Sequence, residues 1–167
     1  KKRTERKNLD YSFAPIADEK SKLLILGSLP GIKSLNESQY YAHPQNSFWK
    51  IILAAINEPF TSDYETKRII LLAHNIALWD VIKSAERKGS LDTNIKDEIP
   101  NDIPGFLKEH PNINFMAFNG ACAFNKYKKH LGTPPLPYKK LLSTSPACAG
   151  RDEERRKMWN DMLTLTL

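Results

Sequence analysis

Four short apolar runs, each ending in residues that turn the chain and each followed by a stretch of helical spacing, constrain this sequence more than any other feature. They are Lys22–Gly27, Ile76–Val81, Ile113–Phe118 and Lys140–Thr144. Runs of this length without regular polar alternation read as strands buried on both faces. Between them, residues 47–57 set Phe48, Ile51, Ile52 and Ala55 on one helical face. Glu58-Pro59 ends that helix, because proline disfavours the α conformation of the residue before it. Residues 62–74 and 121–130 read as further helices. Residues 152–165 read as an amphipathic one, with Asp152, Glu153 and Glu154 in a first turn where the helix dipole favours acids. The polar stretch 87–104, with its prolines, reads as loop. Strand alternating with helix argues for a parallel sheet covered on both faces, and ligands of such sheets sit at the carboxyl ends of the strands. Those ends carry Gly27–Gly31, Trp79–Asp80, Asn119–Gly120 and Ser143–Ala147.

With 167 residues the chain has the size of one domain and can bury a core without a disulfide or metal to hold it. The layout expected is a basic tail over residues 1–15 and a single domain over residues 16–167. No apolar run approaches the ~20 residues of a membrane helix, and no secretory signal follows the basic N-terminus. The two cysteines, Cys122 and Cys148, are too few for a four-thiolate metal site and read as reduced thiols. The chain is therefore expected to be cytoplasmic, monomeric and without a membrane partner. The four histidines (His43, His74, His110 and His130) are not at metal spacing, so no metal is expected. No phosphate loop or dinucleotide fingerprint is present, so no cofactor is expected either. Ser143 and Ser145 lack the elbow sequence of a hydrolase nucleophile, which ranks a small-molecule α/β hydrolase last among the functions considered.

The net charge of +6 is unevenly spread. Residues 1–7 and 126–157 hold the basic excess, and the stretch between them is mildly acidic. A basic C-terminal face suits a polyanion such as DNA, because Lys and Arg displace its condensed counterions. A solvated lysine-rich surface is the alternative reading.

The segment from Gly27-Ser-Leu-Pro-Gly31 to Gln39-Tyr-Tyr-Ala-His-Pro-Gln-Asn-Ser-Phe-Trp49 is too rich in specific residues for a disposable loop. Tyr40 and Tyr41 offer stacking faces or ordinary rim packing. His43-Pro44 fixes the chain direction, and His43 itself reads as a hydrogen-bonded structural histidine. Asn46 opens a helix, and spacing alone makes it an N-cap, since asparagine is among the best caps.

These residues resemble the first motif of the uracil-DNA glycosylase superfamily. Within it, the chain resembles the hypoxanthine-DNA glycosylase (DNA-deoxyinosine glycosylase) family, on Gly27–Gly31, on Tyr40–Trp49 and on the late Ser143-Thr-Ser-Pro-Ala147. Ala77–Val81 and Phe118–Gly120 fit as well, and the resemblance spans roughly residues 20–160. It implies a three-layer α/β/α sandwich around a central four-stranded parallel sheet. It implies a monofunctional glycosylase of base excision repair whose partner is double-stranded DNA containing a deaminated base. Many superfamily members carry Asp or Asn where this chain has Leu29, and His or Asn where it has Ser143. The hypoxanthine family shares that departure and attributes catalysis to the asparagine that stands here as Asn46. By the same resemblance Ser28, Leu29, Gly31 and Tyr41 are expected to bind the base, the first three through backbone N–H groups and Tyr41 by stacking. Ser143, Ser145, Pro146 and Arg151 are expected on the DNA, with weaker expectations for Arg155, Lys139 and Lys140. Asp80, at a strand end, is the alternative catalytic group. A uracil glycosylase and an inactive DNA-binding module on the same scaffold are the competing functions.

Overall fold

The computed structural model describes residues 9–87, 90–91, 95–148 and 150–167. The first half of the chain forms β1 (Leu9–Tyr11), β2 (Leu23–Gly27), α1 (Ile32–Glu37), α2 (Phe48–Ala55), α3 (Tyr64–Ala73) and β3 (Ile76–Asp80). The second half forms β4 (Ile82–Arg87), β5 (Ile95–Pro100), α4 (Ile103–Glu109), β6 (Phe115–Asn119), α5 (Ala121–Leu131), β7 (Tyr138–Leu141) and α6 (Asp152–Thr166).

Strands β3, β2, β6 and β7, in that order, make a four-stranded parallel sheet. Successive side chains of a strand point to opposite faces, and the packing follows that period. Leu23, Ile25, Ile76, Leu78 and Ala117 join one core with residues of α2, α3 and α6. Leu24, Leu26, Ala77, Met116 and Phe118 join a second core with residues of α4 and α5. Both faces are thus covered, which is why β2 is buried at all five positions, and the expected three-layer α/β/α sandwich is found. The chain runs from β2 outward to β3, then crosses to β6 on the other side. That reversal opens a crevice at the carboxyl ends of β2 and β6.

The sequence reading differs from the structure in several places. Residues 9–15 are not tail: β1 pairs antiparallel with β4, and Ile16 bridges Leu78 at the edge of the parallel sheet. Residues 1–8 of the expected tail lie outside the described residues. The stretch 87–104 is not all loop, because β5 pairs antiparallel with β4 and completes a second sheet, β1-β4-β5. Its sequence, Ile95-Lys-Asp-Glu-Ile-Pro100, leaves mostly exposed positions and carries bulges in its pairing, so it has no apolar run to announce a strand. A short helix, α1, interrupts what reads as one long loop. The last strand ends at Leu141, so Leu142–Thr144 belong to the loop that follows.

Glu98 fastens this second sheet to α5. Its buried carboxylate receives Lys126, Lys129 and His130 at 2.6, 2.9 and 2.8 Å. Burial alone would raise its pKa, but these three hydrogen bonds bring it down to about 2. Part of the basic excess of residues 126–157 is therefore consumed inside the protein. Among the described residues, no helix is long and apolar enough to cross a membrane.

Candidate active site

The carboxyl ends of all four parallel strands open on one pocket of about 580 Å³, whose lining includes Gly27, Asp80, Asn119 and Ser143. Three loops wall it: Ser28–Ser34, Tyr40–Asn46 and Ser143–Cys148. The three motif segments legible in the sequence meet here.

The floor is made by a close approach of backbone and side chains. Gly27 pairs with Asp80 across the sheet. A Cβ on Gly27 would lie 2.6 Å from Asp80 Oδ1 and 2.8 Å from the Tyr41 hydroxyl oxygen. Glycine is what lets both oxygens reach the floor. Alanine inside a strand is ordinarily favoured over glycine by roughly 0.5–1 kcal/mol; here the sign reverses. Gly27→Ala is expected to lower stability by about 1–3 kcal/mol, as overpacking does, and to cost more in activity than in the thermal melt, because the groups displaced are the pocket's own. Asp80 is buried. Asn101 Nδ2 donates to its backbone carbonyl at 2.8 Å, which fixes the end of β3.

The two tyrosines have different surroundings. Tyr40 is buried, its hydroxyl donates to the Ala14 carbonyl at 3.1 Å, and its carbonyl accepts from Trp49 Nε1 at 2.8 Å. Burial and then the charge of Asp80 push its phenol far above the usual range, so it stays protonated. Tyr40 is structural. Tyr41 stands in the left-handed region at φ 54°, which is uncommon for an aromatic residue and typical of sites where function holds the backbone. Its ring lies 4.1 Å from that of Phe48. His43 is exposed at the pocket lining; it is hydrogen-bonded as expected, its Nδ1 accepting from the Gln45 N–H at 3.1 Å and its carbonyl from the Asn46 N–H at 2.9 Å.

Asn46 lines the pocket at the start of α2. The N-cap expected at Asn46 falls one residue later: Ser47 caps α2, its carbonyl accepting the Ile51 N–H. Asn46 Oδ1 accepts the Phe48 N–H at 3.0 Å, a local turn bond just ahead of the helix. That bond orients the amide. A carbonyl oxygen has two lone pairs, and one remains for a further donor.

At Leu29 the first loop turns its side chain into the second core, so only its backbone can face a ligand. Arg87, buried on β4, holds this loop from below, donating to the carbonyls of Leu29 and Pro30 while paired with Asp10 at 3.2 Å.

The late loop is stitched to its surroundings at every turn. The Ser143 and Ser145 hydroxyls accept from the N–H groups of Ser145 and Ala147 at 3.1 and 3.2 Å. Asn119 grips buried Thr144 twice: Nδ2 donates to Oγ1 at 2.9 Å, and Oδ1 accepts the Thr144 N–H at 3.0 Å. The Thr144 carbonyl accepts the Ser47 N–H at 3.1 Å, tying this loop to the residue beside Asn46. Gly120 must be glycine, with φ 101° and a Cβ position 3.0 Å from Ser143 Cβ. Arg155 is 3% exposed. It donates to the carbonyls of Ser143, Cys148 and Gly150 and to Asp152. It therefore does not offer its charge to DNA: it is an internal brace. Arg151 is exposed and makes two bonds to Glu154, at 2.8 and 2.6 Å. Lys140 Nζ lies 4.6 Å from the centre of the Phe124 ring.

Sequence reasoning thus missed Asn119, Thr144, Arg87 and Ser90 as parts of the site, and expected Arg155 on DNA where the structure makes it a brace of the late loop. Asn119 carried a signal, since it stands at a strand's carboxyl end, but Asn-Gly reads first as a turn. The others act through contacts distant in sequence.

The comparisons with known proteins agree with this geometry. The family model described as the uracil DNA glycosylase superfamily matches residues 14–163. The hypoxanthine DNA glycosylase of Methanosarcina barkeri (strain Fusaro / DSM 804) is 38% identical over 148 residues, covering 88% of this chain and 93% of that one. The protein of the same name from Methanosarcina acetivorans is 37% identical over the same shares. A solution NMR structure of a Methanosarcina acetivorans protein named after uracil DNA glycosylase superposes with a TM-score of 0.83 at 34% identity, covering 95% of this chain and 98% of that chain. A parallel sheet with its pocket at the strand ends, a family model across nearly the whole length and relatives aligned end to end lead to one assignment: this chain belongs to the uracil DNA glycosylase superfamily.

Proposed function

We propose that the chain is a monofunctional DNA glycosylase that takes a deaminated base, hypoxanthine first, out of duplex DNA and hydrolyses its N-glycosidic bond. One observation carries the reading: the three loops converge on a pocket large enough for a purine, with the Asn46 amide fixed at its lining by its bond to the Phe48 N–H. Relatives named for hypoxanthine DNA glycosylase support the choice of base.

The chemistry follows from the groups available. The bond from C1′ to the base nitrogen breaks with oxocarbenium-like character at the sugar, as in other glycoside hydrolysis. Water then bonds to C1′, its second proton ends on the departing base or solvent, and an abasic site remains. An amide is no base near neutral pH, but the free lone pair of Asn46 Oδ1 orients that water. Backbone N–H groups of Ser28, Leu29 and Gly31 stabilise the departing purine at O6 or N7. Tyr41 stacks on the base with the face opposite Phe48, an interaction worth ~1–3 kcal/mol. The Ser143 and Ser145 hydroxyls accept from the loop and keep their own protons for DNA phosphates, Pro146 stiffens that loop, and Arg151 shares its guanidinium between Glu154 and the backbone of the DNA.

The test uses duplexes with a single deoxyinosine or deoxyuridine, treated with the protein and then with alkali. Strand cleavage at deoxyinosine, faster than at deoxyuridine, is the expected result. Cleavage only at deoxyuridine would make it a uracil glycosylase. Binding with no cleavage of either would make it an inactive DNA-binding module, a reading that the burial of Leu29 at the usual water-handling position favours.

Asp80 provides the second catalytic candidate, because its carboxylate is the acid on the pocket floor. If it serves as base, the rate falls at low pH as it is protonated, and the limb disappears in Asp80→Asn. We expect Asp80→Asn to keep the wild-type pH profile with a loss of no more than about tenfold, the carboxylate being a neighbour of Tyr41. Loss of an acidic limb together with more than about a hundredfold in rate would transfer the chemistry from Asn46 to Asp80.

A further inference from the structure

Two large aliphatic side chains at the pocket stand in solvent. Ile32 is 46% and Leu91 53% exposed, and both line the pocket. An isolated exposed leucine means little, since much of any protein surface is apolar. These two are held together: the Ile32 N–H donates to Ser90 Oγ at 2.9 Å, and Ser90 lies beside Gly31, its Cβ and Oγ 3.5 Å from where a Gly31 Cβ would be. Ser90 and Leu91 belong to the connection between β4 and β5, while Ile32 opens α1 directly after the first loop. Arg87, at the end of β4, grips the carbonyls of Leu29 and Pro30 in that same loop. An apolar ledge is therefore joined to the first loop of the pocket.

The other candidate for apolar contact, the late loop, offers among its described residues only Pro146 and Ala147 beside serine, threonine and cysteine. A base drawn from a duplex leaves a gap in the stack, and proteins that unstack DNA fill such gaps with apolar side chains. We propose that Ile32 and Leu91 form that filler, with Leu91 entering the stack as the base leaves and Ser90 positioning it. This rests on the glycosylase reading above and adds to it the element that holds the DNA open.

The role predicts a dependence on what opposes the damaged base. Leu91→Ala is a surface change and should melt within about 1 °C of wild type. Its single-turnover rate should fall tenfold or more on deoxyinosine paired with cytosine. It should fall less than twofold on deoxyinosine opposite an abasic analogue, where no pair has to be broken and kept apart. Leu91→Met, which keeps the bulk, should restore most of the rate on the paired substrate. Ile32→Ala should show the same selectivity in weaker form. An equal loss on both duplexes would make Leu91 a pocket wall instead, and no loss on either would leave the ledge without a role. Both results overturn the proposal. A wild-type protein that releases no base from either duplex overturns the glycosylase reading and the ledge with it.

Discussion

Asn46→Ala should lower the single-turnover rate of base release from a deoxyinosine duplex by at least about a hundredfold, the scale on which a misplaced reactant is felt, while DNA affinity changes less than about twofold. The difficulty is that Asn46 also braces the start of α2 through its bond to the Phe48 N–H, one residue ahead of the N-cap Ser47. Losing such a bond costs about 1 kcal/mol, or roughly 2–4 °C in a domain of this size. A poorly folded mutant and a chemically dead one must therefore be told apart. Asn46→Ser does so. A serine hydroxyl accepts the same kind of local N–H bond, so the melt should return to within about 1 °C of wild type. Its hydroxyl is one bond shorter and cannot both hold the Phe48 N–H and reach into the pocket, so the rate should stay low. A serine variant with wild-type activity would reduce Asn46 to a local brace. The two roles are compatible because they use different lone pairs of one oxygen. The bond to the Phe48 N–H turns a freely rotating amide into a fixed one, and a fixed amide orients water at no further entropic cost.

The central sheet was legible because its strands are buried on both faces, which forces unbroken apolar runs such as Leu23-Leu-Ile-Leu26. The second sheet was not. In β5 most positions face outward, and Ile82, Ser84, Ala85 and Arg87 alternate imperfectly in β4, with register shifts at Ser84. A strand that is half solvated and bulged leaves no period to read. The same division holds in the site. Tyr41, Asn46 and the late serines stand in loops whose composition a mere connection would not need. Arg87 and Arg155 look in sequence like any surface arginine, and nothing local tells that each is buried under carbonyls 57 and 12 residues away. The expectation that Arg155 faces DNA failed for this reason. Charge is visible in a sequence, but the partners that absorb it come from the fold. Glu98 makes the same point with Lys126, Lys129 and His130.

Arg155→Ala should be the most destabilising single change near the pocket. The guanidinium satisfies the carbonyls of Ser143, Cys148 and Gly150 at once and pairs with Asp152 at 2.7 Å. The Asp152 side chain is largely exposed, so that ion pair contributes little. The carbonyls matter more: bonds from a charged donor contribute about 1.5–3 kcal/mol each, and these part-buried acceptors are only partly satisfied by water once the guanidinium is gone. Allowing the loop to relax and admit water, the net loss should be about 3 kcal/mol, a fall of roughly 6–12 °C in Tm. Arg155→Lys separates charge from shape. Lysine keeps the charge but not the planar fork, so it should recover less than half of the stability. Its activity well below its melting temperature should still be reduced, because the Thr144 carbonyl that holds the Ser47 N–H belongs to the same loop, and a loop that shifts takes the start of α2 and Asn46 with it. Asn119→Ala, which releases Thr144 from the other side, should then cost less in the Arg155→Ala background than alone, the non-additivity expected of groups that brace one element. Additive losses would mean that the two clasps act on separate parts of the loop, and an unchanged melt for Arg155→Ala would mean that the loop keeps its shape without the guanidinium.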